Sequence, residues 1–221
     1  MPVIRVLGDI PDDAVLQEAA RAAGSGGVLA VPTETFYALA VSARDHTAIE
    51  RVKNLKGRAD DKPIPVLIAD VLQIRPLTQS IPAAAAILME TFWPGPLTLT
   101  FPAAADLSKA LVGQNGAIGI RQPGHGPLLA VLRRTGPLTG TSANRAGEPP
   151  SASAADVWSV FGQSLDLILD GGKTAGGMAS TVVDTVESVR IIREGPISTN
   201  QIAMALRRIG ITLEGTAANK R

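Results

Sequence analysis

The sequence predicts a single α/β domain in which a twisted, mixed parallel and antiparallel sheet is flanked by helices. Three observations predict it. Short apolar runs bounded by proline and glycine alternate along the chain with stretches of helical periodicity. The last two runs stand on either side of Glu187-Ser188, a hairpin signal that makes the sheet mixed rather than purely parallel. At 221 residues, 45% hydrophobic and 19% charged, the chain has the composition of an ordinary globular domain with room for a sizeable core. The domain is expected to span residues 1–211, with 212–221 a frayed polar tail.

Each element follows from local signals. A first helix, about Pro11 to Ala23, opens with Asp12 and Asp13 at the positive end of its dipole and stops at Gly24 to Gly27. Val28 to Val31 is a buried strand that Pro32 terminates. Asp45 caps a helix with Ile49, Val52 and Leu55 at threefold spacing, and Gly57 stops it. Pro65 to Ala69 reads as a strand, Pro82 to Thr91 as an apolar helix, and Leu97 to Phe101 and Ala117 to Arg121 as strands. His125 to Arg134 is a helix, Leu138 to Thr141 a strand, and Ser153 to Phe161 a helix with Ser153 as cap. Leu167 to Asp170, Ser180 to Val186 and Val189 to Arg193 are strands, and Thr199 to Ile209 is a closing helix.

Composition excludes several functions. Net charge is +1, from 21 basic and 20 acidic residues, so no global field draws the chain to nucleic acid or to a membrane. Aromatics are only 3%, too few for the stacking platforms that bind single-stranded RNA. Cysteine is absent, which removes disulfides, thiolate catalysis and zinc–thiolate sites. The two histidines, His46 and His125, lie in unrelated contexts, and no bound metal is expected. With neither a basic leader nor an apolar run of membrane-spanning length, the chain reads as cytoplasmic.

The chemistry-bearing residues fall in a few short segments. Lys56, Arg58 and Lys62 cluster where a helix ends, and Ser142-Ala143-Asn144 follows a short strand. Cations with hydroxyl and amide groups can grip a polyphosphate, although a cationic helix end is more often a solvated surface. Thr33, in Pro32-Thr33-Glu34-Thr35, follows a buried strand where α/β folds bind ligands, yet a threonine there more often caps its own turn. Arg121 and Arg193 each close an apolar strand, and an arginine leaving a core strand needs an anionic partner. Gly171-Gly-Lys-Thr174 imitates a phosphate loop but has Leu167 where that motif requires glycine, so 171–179 reads as a flexible connector. His125 in Pro-Gly-His-Gly-Pro has no orienting carboxylate evident in sequence and reads as a helix-start residue.

Taken together these segments resemble the YrdC family, the threonylcarbamoyl-AMP synthases that begin the t6A modification of transfer RNA. The resemblance covers residues 10 to 200 and rests on Pro-Thr-Glu-Thr-Phe-Tyr (32–37), Lys-Gly-Arg (56–58) with Lys62-Pro63, and Phe-Trp-Pro-Gly-Pro-Leu-Thr (92–98). It continues through Gly-Ile-Arg-Gln-Pro (119–123), Thr-Ser-Ala-Asn (141–144), Ser-Thr-Val-Val (180–183) and Ile-Arg-Glu-Gly (192–195). It implies the short, single-domain bacterial form and a nucleotidyltransferase that joins L-threonine, bicarbonate and ATP. Lys56 and Arg58 would be the catalytic cations, holding ATP together with Lys62, Ser142, Asn144, Ser151 and Arg193. Thr33, Arg121, Ser180 and the main chain at Gly140 would hold L-threonine. Mg²⁺ would arrive with ATP, and no protein-bound metal is implied. The product would pass to the threonylcarbamoyl-transferase proteins, with weak RNA binding and no membrane contact. The alternatives left open are a non-enzymatic double-stranded RNA binder and the carbamoyl-adenylating domain of hydrogenase maturation.

The chain departs from the family at Tyr37-Ala38-Leu39-Ala40, where Y-G-L-G is usual, at Leu67, often histidine, and at Pro150, often serine, with Ser151 as substitute. Both alanines are expected to have ordinary dihedrals, because alanine does not readily take positive φ.

Overall fold

A computed structural model describes residues 3–57 and 62–214. Its strands are β1 (Val3–Val6), β2 (Leu29–Pro32), β3 (Tyr37–Ala40), β4 (Val66–Leu67), β5 (Leu97–Pro102), β6 (Ala117–Arg121), β7 (Leu138–Thr139), β8 (Thr141–Ser142), β9 (Leu167–Asp170), β10 (Thr181–Asp184) and β11 (Arg190–Arg193). The helices are α1 (Asp13–Gly24), α2 (His46–Leu55), α3 (Ala83–Phe92), α4 (Gly126–Thr135), α5 (Ala154–Phe161) and α6 (Thr199–Arg207). The mixed α/β class is the predicted one, but the strands form two mixed sheets rather than one. The five-stranded sheet runs β1-β9-β2-β3-β8 and the six-stranded sheet β11-β10-β5-β6-β4-β7.

Predicted caps explain where helices begin. The Asp45 carboxylate accepts from Ala48 N at 2.9 Å, and Ser153 forms a reciprocal capping box with Asp156. Asp12 occupies the cap of α1 without a side-chain bond to it. Two strands escaped the sequence reading. β1 is a short, mostly exposed edge with no alternation to reveal it. β3 is wholly buried but lies inside a motif that reads as a ligand turn. The expected strand Leu138 to Thr141 is two strands. β7 pairs with β4 in one sheet and β8 with β3 in the other, so Gly140 is where the chain crosses between sheets. A Cβ at Gly140 would lie 2.5 Å from Leu67 Cγ, so this crossing admits only glycine against the leucine as it stands.

One core cluster lies between the sheets and α2, α3, α5 and α6, taking Leu39 and Val41 from β3 and beyond, Leu97, Leu99 and Phe101 from β5, and Ile118 and Ile120 from β6. A second buries the other face of the five-stranded sheet under α1 and α4, and contains Ala38, Ala40 and Leu67. The six-stranded sheet is therefore apolar on one face. Its alternate residues Thr98, Thr100, Gly119 and Arg121 belong to neither cluster, and this polar face carries the candidate site. Residues 212–214 carry no helix or strand, and residues 215–221 of the expected tail lie outside the described residues.

Candidate anion and amino-acid site

The site is assembled by strand register. Thr98 of β5 pairs with Val182 of β10, Val182 with Arg193 of β11, and Leu67 of β4 with Arg121 of β6. Leu99 pairs with Ile120, so the same register continued by one residue sets Thr98 beside Arg121. Arg193, Val182, Thr98, Arg121 and Leu67 thus form one row across the polar face. Arg193 joins it only because β11 is irregular. Val183 pairs with Ile191 but Val182 with Arg193, which leaves Ile192 as the extra, unpaired residue. Without that bulge, the two-residue period would send Arg193 to the core side with Ile191. No sequence signal marks the bulge.

Within the row the polar groups are linked. Arg193 donates to the Ser180 carbonyl at 3.0 and 2.8 Å and to Ser180 Oγ at 3.2 Å, and that hydroxyl lies 3.0 Å from Thr98 Oγ1. Partial burial of the Arg193 guanidinium, then the neighbouring charge of Arg121, lowers its pKa from the ordinary value. Arg193 has no carboxylate partner among the described residues, so it is the cation of this face left available to an anion.

Arg121 is 6% exposed. It donates from Nε to the Gly95 carbonyl at 3.1 Å, and its Nη2 lies 2.7 Å from Glu34 Oε1. The anionic partner the sequence demanded is thus present inside the protein, and Glu34 is a residue that sequence reasoning quoted without assigning. The Pro94-Gly95-Pro96 loop serves two strands, since Gly95 steadies Arg121 and the Pro96 carbonyl accepts from Thr181 N at 3.0 Å. Thr33 is also buried, and its hydroxyl is occupied locally. It lies 2.9 Å from Thr35 Oγ1, donates to Phe36 O at 2.8 Å, and accepts from Thr35 N and Phe36 N. The capping role is therefore present. The turn it shapes is the one that carries Glu34.

A second cluster stands across the Gly140 crossing. Lys56 is 3% exposed, so it is not a solvated helix-end cation. Its ammonium donates to the Ser142 carbonyl, to Ser142 Oγ at 3.4 Å and to Asn144 Oδ1 at 3.2 Å. Ser142 Oγ in turn donates to Asn144 Oδ1, while Asn144 Nδ2 donates to the carbonyls of Arg145 and Glu148. Lys56 therefore meets Ser142 and Asn144, which lie far from it in sequence. Ser151 is buried beside them, its hydroxyl donating to the Ala143 carbonyl, which ties down the same loop. Lys62 is exposed, and Arg58 lies outside the described residues. Ala38 pairs with Ser142, so the first alanine departing from the family abuts this cluster rather than Arg121. Among the described residues no non-glycine has positive φ, which leaves both alanines with ordinary dihedrals as expected.

The connector 171–179 lies across neighbouring segments. Gly176 N donates to Thr35 O and Thr174 N to Ala152 O, both at 2.9 Å. Tyr37 anchors its start, donating to Gly172 O at 2.8 Å and accepting from Gly171 N at 3.1 Å. Burial above all, with Asp170 adding, pushes the Tyr37 hydroxyl up to about 12, so it remains a donor at neutral pH.

The structure is thus a mixed α/β domain that carries buried basic side chains on either side of a strand crossing. The chain matches the family model Sua5_yciO_yrdC, described as "Telomere recombination", over residues 21–195, and it belongs to that family. It is 35% identical over 188 residues to the threonylcarbamoyl-AMP synthase of Pyrococcus abyssi, covering 84% of this chain and 55% of that one. It is 41% identical over 162 residues to the threonylcarbamoyl-AMP synthase of Nitrosococcus oceani, covering 72% of this chain and 87% of that one. The crystal structure of Pyrococcus abyssi Sua5 complexed with L-threonine superposes with a TM-score of 0.88 at 31% identity, covering 99% of this chain and 66% of that one. The chain thus spans little more than half the length of the archaeal synthase.

Proposed function

We infer that this domain is an L-threonylcarbamoyladenylate synthase acting in t6A biosynthesis. The observation that carries the reading is the single row of Arg193, Thr98 and Arg121, set beside the Lys56–Ser142–Asn144 cluster. One cluster suits a polyphosphate and the other an amino-acid carboxylate. Relatives named threonylcarbamoyl-AMP synthase, and a similar fold complexed with L-threonine, support it.

In this reading the threonine amine and bicarbonate give a carbamate and water. A carbamate oxygen then attacks the α-phosphorus of ATP, the bond to the β-phosphate bridge breaks, and pyrophosphate leaves. No protein nucleophile is needed. Lys56, Arg58, Lys62 and Arg193, with the Mg²⁺ carried by ATP, neutralise the phosphates, while Ser142, Asn144 and Ser151 shape the phosphate loop. Thr33, Arg121, Gly140 and Ser180 hold threonine, so catalysis is positioning plus charge stabilisation.

The product passes to a threonylcarbamoyl transferase in the cytoplasm. The double-stranded RNA reading draws less support, because Arg5, Arg44, Arg51 and Arg134 on the outer surface each pair with a carboxylate. The test is pyrophosphate release from ATP, with threonine and bicarbonate omitted in turn. Release that is independent of threonine would overturn the reading.

A further inference from the structure

We propose that Glu34 is the positioning residue of the amino-acid half of the site, acting through Arg121. This rests on the function inferred above. The guanidinium has five N–H bonds in a fixed plane. Nε is held by the Gly95 carbonyl at 3.1 Å, and Nη2, which makes no hydrogen bond, is in ion-pair contact 2.7 Å from Glu34 Oε1, so this edge of the plane faces protein. The engaged edge leaves the Nη1 end as the donor face for a ligand carboxylate.

Glu34 is itself held. Its Oε1 accepts from Gly124 N at 2.7 Å, and its backbone lies in the turn that the Thr33 hydroxyl closes. Its Oε2 is buried and has no hydrogen-bond partner, so the carboxylate is retained at the cost of a desolvated oxygen. The pair also sets the charge of the subsite. Arg121 and Glu34 sum to zero, so the pocket offers an oriented donor edge without an excess cation. Arg193, on the same row, has no carboxylate partner among the described residues. A neutral amino-acid zwitterion is therefore favoured at Arg121, and a phosphate toward Arg193.

The test uses Glu34→Gln, whose amide oxygen still accepts from Gly124 N while the charge is lost. The expected result is a threonine KM at least about tenfold higher, with kcat and the ATP KM within about twofold of wild type. A second readout follows Arg121 directly. Wild type should bind L-threonine far more tightly than L-threoninamide, which lacks the carboxylate, and Glu34→Gln should lose most of that preference. An unchanged threonine KM, or equal rises in both KM values, overturns the proposal. Should Glu34→Gln not fold, Glu34→Asp, shorter by one methylene, is measured instead, with a threonine KM at least about threefold higher expected and an unchanged one overturning. Calorimetry separates the two levels. If wild type binds no threonine, both the function and this proposal fall. If wild type and Glu34→Gln bind it equally, only the proposal falls.

Discussion

At the scale of single residues, Arg121 pairs with Glu34 and, in the proposed function, also holds the threonine carboxylate, so its substitutions must be chosen to separate the two roles. Arg121→Ala would strand the Glu34 carboxylate in a mostly buried site, and breaking such a pair typically costs about 3–5 kcal/mol. Arg121→Lys keeps the charge and loses the planar fork. We expect it to fold with a nearly wild-type melting temperature and to raise the threonine KM about ten- to a hundredfold, the cost of one charge-assisted hydrogen bond. A parallel rise in the ATP KM would show that the arginine serves the fold alone. Lys56 needs the same care. Buried and bonded to Ser142 and Asn144, it cannot be removed as a surface side chain can, so Lys56→Ala should lower stability by about 1–3 kcal/mol along with pyrophosphate release. The residue types of the site were legible in the sequence. Their partners were not, because Glu34 meets Arg121 across a long loop of chain and its side chain carries no periodic signal.

At the scale of elements, caps and strand ends were legible, whereas bulges and crossings were not. Asp45 and Ser153 announce their helices by chemistry that acts within three residues. The extra residue at Ile192 and the sheet change at Gly140 depend on which strand lies alongside, which no local pattern encodes. Gly140→Ala should cost about 1–3 kcal/mol through contact with Leu67, and adding Leu67→Ala should recover part of that loss. Equal destabilisation in both backgrounds would place the strain elsewhere. The start of α4 gives a pH prediction. The Nδ1 of His125 accepts from Leu128 N at 3.2 Å, which requires the neutral ring. Burial holds its pKa below the ordinary 6.5, against the opposing pull of Glu34 and Asp9. As pH falls the unfolded chain binds the proton first, so this contribution is complete above about 6.5 and is lost between there and the lowered folded value. Melting temperature should therefore fall as pH drops below about 6.5, and fall less in His125→Asn, which caps without titrating.

At the scale of the whole molecule, Arg193 on one side of the crossing and Lys56 on the other should make stability depend on anions if the proposed phosphate site is right. Pyrophosphate at a hundred times its dissociation constant contributes about 2.7 kcal/mol, or a rise of about 5–10 °C in melting temperature for a chain of this size. The rise should shrink in Ser142→Ala and in Arg193→Ala, and an unaltered rise in both would remove the phosphate assignment. The mixed fold class was readable because alternation of elements is a global pattern. The division into two sheets was not, since it depends on which strands lie side by side, and the chain changes sheet after β3, at Gly140 and after β9. The strand order of the five-stranded sheet has a further consequence. β9 lies between β1 and β2 and pairs with both, Val3 meeting Leu167 and Ala30 meeting Ile168. During synthesis the two early strands leave the ribosome without the neighbour that joins them, and they wait for more than a hundred further residues to appear. Throughout that interval their edges are open to any other extended segment, so the nascent chain is most exposed to aggregation just before Leu167 emerges.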